Sequence, residues 1–123
     1  MTRFSDFVAS IERLAVAALS LQDRIAIMDD GRPLVPVTRS AIERAAEDLA
    51  DRIGRETPFE QPRDMIEEEW NERPVVELRE AVATLELVVA TRPSDVRSWI
   101  PDAVLALTAF FEARERFRRD TEF

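Results

Sequence analysis

Histidine, cysteine, tyrosine and lysine are all absent from this chain of 123 residues. With them go the usual general base, the thiol nucleophile, the phenol, the Schiff-base amine and the lysine of a phosphate-binding P-loop. Disulfides and thiolate metal sites are excluded, and a cysteine-free composition fits a reducing compartment. Any chemistry would have to run on aspartate and glutamate, with arginine as electrophile and serine or threonine as nucleophile. In practice that means carboxylates holding a divalent cation. The 17 basic residues are all arginine, which reads as a coding bias rather than a demand for guanidinium. Long hydrophobic runs are missing too. The longest nearly apolar stretch, Ala103–Phe111, is too short to cross a bilayer, and Met1–Asp6 carries no basic segment leading into an apolar one. A soluble, cytoplasmic chain without a membrane span is expected. The net charge of −8 counts against direct nucleic-acid binding, because displacing counterions from phosphate requires positive charge.

What is present is helical periodicity. Phe4, Phe7, Ile11, Leu14, Ala18, Leu21, Ile25 and Met28 recur in alternating steps of three and four, a heptad seam that predicts one helix over Phe4–Met28. Val75, Leu78, Val82, Leu85 and Val89 repeat the pattern in a helix predicted from Pro74 to about Thr91. Between them, a capping box Ser40-Ala41-Ile42-Glu43, or a start one turn earlier at Thr38, and a stop at Gly54 frame a helix with the buried stripe Ile42, Ala46, Leu49 and Ile53. A short acidic helix is predicted from Pro62 to Glu72. A single turn carrying Val96, Trp99 and Ile100 precedes a last helix that opens at Pro101 and runs to about Arg119. The segment Asp29-Asp30-Gly31-Arg32-Pro33 reads as a turn and Leu34–Val37 as an extended connector.

The expected fold is all-α, one domain over 1–123, a four-helix bundle with an additional short acidic helix. Three helices carry apolar arcs near half their circumference, more than a lone core needs, so a homodimer is expected through the Phe4–Met28 helix, the Pro74–Thr91 helix or both. Its interface residues would be Phe7, Ile11, Leu14, Leu21, Ile25, Leu78, Val82 and Leu85.

Chemistry concentrates in the acidic helix. Asp64, Glu68 and Glu72 stand at four-residue spacing, and Asp64, Glu67, Glu68, Trp70 and Glu72 form the candidate patch for a protein partner, with Trp70 as a possible anchor. All-α nucleotide pyrophosphohydrolases hold magnesium with a Glu-x-x-Glu on one helix and a Glu-x-x-Asp on the next. The pairs Glu69-x-x-Glu72 and Glu77-x-x-Glu80 here are closer in sequence, and the final Asp is a Glu. With Glu68 these are the candidate metal ligands, Glu68, Glu69, Glu72, Glu77 and Glu80, although no cofactor is expected. Arg114, Arg116, Arg118 and Arg119 complement the dipole at the end of the last helix. The composition favours a non-enzymatic protein–protein interaction module, an adaptor, chaperone-like or regulatory protein. The alternatives are a magnesium- or manganese-dependent nucleotide hydrolase on the acidic helix and an acidic DNA-mimic inhibitor.

Overall fold

A computed structural model describes residues 3–26, 36–56, 60–91 and 96–120, and among the described residues the chain is helical, with no strand. The elements are α1 (Phe4–Ala26), α2 (Pro36–Glu56), the single turn α3 (Glu67–Trp70), α4 (Arg73–Ala90) and α5 (Val96–Asp120). The Asp29–Pro33 turn, and Met28 at the end of the α1 seam, lie outside the described residues, as do residues 92–95 just before the predicted single turn.

The two heptad seams form as their periodicity dictates, but they close within one chain. All eight residues expected to join two copies, Phe7, Ile11, Leu14, Leu21, Ile25, Leu78, Val82 and Leu85, are at most 5% exposed. The reason lies in the order of packing. Each long helix lies against two others, α1 on α2 and α5, and α4 on the same two. Both seams therefore meet the stripes of α2 (Ile42, Ala46, Leu49, Ile53) and α5 (Ala103, Leu107, Phe110, Phe117), all buried. The small residues Ala18, Ala46 and Ala103 lie in that core and allow close approach.

Polar contacts fix the directions. Ser10 and Arg13 near the start of α1 reach Glu56 at the end of α2, and Glu12 pairs with Arg114 near the end of α5. Glu77 at the start of α4 meets Arg116, while Trp99 at the start of α5 donates its indole N–H to the Val88 carbonyl at 2.8 Å. Helices adjacent in these pairs run antiparallel.

Three elements differ in extent from the sequence reading. α2 begins at Pro36, so Pro36 and Val37 of the expected extended connector are helical, with Leu34 and Val35 outside the described residues, and it passes through both Ser40 and Gly54. Proline suits a first helical turn, and Glu43 accepts from Arg39 Nε at 3.0 Å instead of closing a capping box. Gly54 keeps helical geometry because Glu56 beyond it is captured by α1. The predicted single turn at Val96–Ile100 and the last helix are one element, with Pro101 inside α5. Pro101 sits on the exposed side, where water can take the carbonyl it leaves unbonded, and buried Trp99 and Ala103 hold the helix on both sides of it. α3 is a single turn rather than a helix from Pro62.

The α1–α2 tie joins a bidentate ion pair to a buried hydroxyl. Arg13 Nε and Nη2 donate to the two Glu56 carboxylate oxygens at 2.8 and 2.6 Å, and the hydroxyl of Ser10, itself buried, donates to Oε2 at 2.7 Å. The Arg13 hydrogen bonds, supported by Ser10, hold the Glu56 carboxyl down at about 2 against the opposing effect of burial. A carboxyl depressed in the folded state stabilises fully above its ordinary unfolded value of 4.5 and loses that contribution as pH falls toward 2. Arg13 is half-exposed, so solvent screening limits the contribution to about 1 kcal/mol. Glu56→Gln is expected to lose that amount in urea unfolding at pH 7 and to match the parent chain near pH 2.

Candidate functional site: an acidic corner beside α3

The corner is built where the chain turns twice. Met65 N–H donates to the Pro62 carbonyl at 3.1 Å and Gln61 Nε2 to the Met65 carbonyl at 3.0 Å, closing a turn that ends in extended Ile66. Ile66 has no side-chain acceptor, so half a capping box forms: its N–H donates to the Glu69 carboxylate at 3.3 Å. Glu67, Glu68 and Glu69 fill the first turn of α3, where the helix dipole favours anions. The backbone extends again at Glu72, which caps α4 with Pro74 in its first turn.

Beneath α3 lies an aromatic cluster. Trp70 is buried and meets Phe7 edge-on with centroids 5.4 Å apart, and Phe7 in turn meets Phe117 at 5.9 Å. The Arg79 guanidinium lies 4.2 Å from the Trp70 ring centroid, and its Nη2 donates to the Trp70 carbonyl at 2.8 Å. Burial pushes the Arg79 pKa down, with Glu80 opposing, and its Nε has no partner. Trp70 therefore anchors α3 to the core and is not available as a surface anchor for a partner.

Outside this cluster opens a pocket of about 390 Å³, lined by Phe4, Asp64, Met65, Glu69, Glu72, Val75 and Asp120. Its floor is apolar and its rim is acidic. The carboxylates come from the 60–66 turn, α3, the α4 cap and the end of α5. Asp64 Oδ1 accepts the Phe4 N–H at 2.6 Å, which ties the start of α1 to the corner.

The structure keeps the partner candidates Asp64, Glu67, Glu68 and Glu72 exposed on this corner but does not set them on one helix face, since α3 holds only residues 67–70. Glu67, Glu68 and Glu72 form no ion pair with a described residue. The metal candidates do not converge. Glu77 is held by Arg73 Nε at 2.9 Å and Arg116 Nε at 3.0 Å, which keep its carboxyl below the usual range. Glu69 accepts the Ile66 N–H through Oε1 alone, and the turn at 71–72 separates Glu68, Glu69 and Glu72 from Glu77 and Glu80. Among the described residues no group of three or more such side chains could hold a metal ion. Arg114 and Arg116, part of the basic end of α5, are spent on Glu12 and Glu77.

Sequence reasoning missed Phe4 and Asp120, which reach the pocket from opposite ends of the chain. No local pattern marks them. No helix among the described residues is long and apolar enough to cross a membrane. No protein-family model, no curated protein and no solved structure matches this chain.

Proposed function

We propose that this chain is a non-enzymatic interaction module. It is a single domain whose four long helices act as a four-helix bundle, and it works in the cytoplasm as a self-associating adaptor, chaperone-like or regulatory protein. Its acidic corner receives a basic segment of another protein, one that carries an apolar residue beside its arginines or lysines. The observation that carries this reading is the pocket: carboxylates from separate parts of the chain surround a floor of Phe4, Met65 and Val75. An apolar side chain fills the floor while cations meet Asp64, Glu69, Glu72 and Asp120, with Glu67 and Glu68 alongside. A DNA mimic would need its carboxylates spread in a long stripe, which a one-turn α3 does not offer.

The test is fluorescence anisotropy with a labelled peptide of alternating arginine and leucine. Changing both Glu68 and Glu72 to Gln is expected to weaken binding about tenfold at low salt, the sum of two partly screened charge contacts. The same charge change made at Asp51 and Glu115, exposed on α2 and α5, is expected to leave binding within twofold. Equal losses from the two pairs would mean that net charge alone attracts the peptide, and would sink the corner as a site.

A further inference from the structure

The core is closed within one copy, yet large apolar side chains remain on the outside: besides Ile66 at the acidic corner and Leu87 on α4, four stand on α1 and α5, Val16 72% exposed, Leu19 49%, Val104 43% and Leu105 70%. All four fall in the two longest stretches of the chain without a charged residue, 14–22 and 103–111, each nine residues long in a chain that is 34% charged. Nine helical residues make two and a half turns, so these stretches are uncharged on every side, including the side that faces water. The fold sets them next to each other. Glu12 pairs with Arg114, and Phe7 meets Phe117, which fixes the antiparallel register of α1 against α5. Continued along both helices, that register lays 14–22 alongside 111–103.

The result is a charge-free belt across the α1–α5 side. Leu19, Val104 and the half-buried Phe111 lie toward its middle, with Val16 at one flank, while Leu105, eleven residues from Arg116 and so on the same face of α5, turns to the α4 side. Charged residues rim it, Glu12, Glu112 and Arg114 toward one end and Asp23 and Asp102 toward the other. An apolar centre inside a charged rim is the anatomy of a protein interface.

We propose that the belt is where a second copy of this chain docks, α1 and α5 of one copy against α1 and α5 of the other. This rests on the self-association named above and not on the acidic corner. Charge selects the occupant. Two copies each carrying −8 repel over most of their surface, and the belt is where they can meet without setting like charges against each other. A basic partner, by contrast, gains nothing from an uncharged face. Size sets the strength. Two neighbouring helices over nine residues make a face roughly 13 Å by 20 Å. Burying it on both copies removes on the order of 500 Å², below the range of stable complexes and suited to a weak, reversible dimer that forms at tens to hundreds of micromolar.

Sedimentation velocity on the full chain, from about 1 to 500 μM at moderate salt, tests this. The parent chain is expected to pass from monomer to dimer within that range. Val16→Glu and Leu19→Glu are each expected to raise the dissociation constant at least tenfold with unchanged far-UV circular dichroism. Val16 is so exposed that its substitution leaves the core untouched. Leu87→Glu, 70% exposed on α4 and off the belt, is expected to dimerise like the parent. A parent chain that stays monomeric throughout, a dimer indifferent to both belt charges, or equal weakening by Leu87→Glu would each overturn the proposal. Peptide capture separates the two readings: it persists in the belt variants if the acidic corner works alone, and a parent chain that dimerises but captures no peptide counts against the corner only.

Discussion

Leu21→Asp is expected to unfold the chain instead of releasing a folded monomer. Leu21 is fully buried in the α1 seam, which packs against α2 and α5. Removing a core leucine costs about 2–5 kcal/mol, and an unpaired carboxylate in the same place costs several more. The sum is comparable to the entire stability of a domain this size. Had the seam joined two copies, the same substitution would give a helical chain of half the native mass. Far-UV circular dichroism with sedimentation velocity distinguishes the two outcomes, and the core reading requires lost helicity. Leu78→Asp on α4 is expected to behave alike, because the two seams share one core.

Trp70→Ala has the second-largest expected effect, about 3–5 kcal/mol of stability, from loss of the edge-on contact with Phe7 and the cavity left beneath α3. Arg79 loses the ring it lies over while its guanidinium stays partly buried with Nε unpaired, which adds to the cost. A fall in melting temperature of more than about 10 °C is expected in a thermal scan. The acidic carboxylates stay in place, so at a temperature where the variant is folded its basic-peptide affinity is expected to stay within a few-fold of the parent. A stable variant that no longer binds would return Trp70 to the role of a surface anchor.

Much of the fold is legible in the sequence because burial imposes a period. The steps from Phe7 to Ile25 and from Val75 to Val89 mark two buried stripes directly. Their partners are not marked, since a heptad seam looks the same whether it meets a helix of its own chain or of another copy. The misplaced boundaries share one cause: tertiary contacts outweigh local signals. The Ser10–Arg13–Glu56 tie carries α2 past Gly54, and burial of Trp99 and Ala103 carries α5 through Pro101. For the acidic corner, composition points to the right stretch but not to its shape. Four-residue spacing suggests one face for Asp64, Glu68 and Glu72, whereas the turns at 62–66 and 71–72 arrange the carboxylates around a pocket. Phe4 and Asp120 enter only through folding. The belt on α1 and α5 needs both levels, uncharged runs from the sequence and their register from Glu12–Arg114.

The claim that the acidic corner is the docking surface is tested most directly by amide chemical-shift mapping on the isotope-labelled full chain. The alternating arginine–leucine peptide is titrated in at moderate salt. A corner site predicts saturating shifts concentrated at Phe4, Asp64–Glu72, Val75 and Asp120, with 14–22 and 103–111 unmoved by the peptide. Shifts spread over the outer acids of α2 and α5, such as Asp51 and Glu112, and fading together as salt rises, would contradict it.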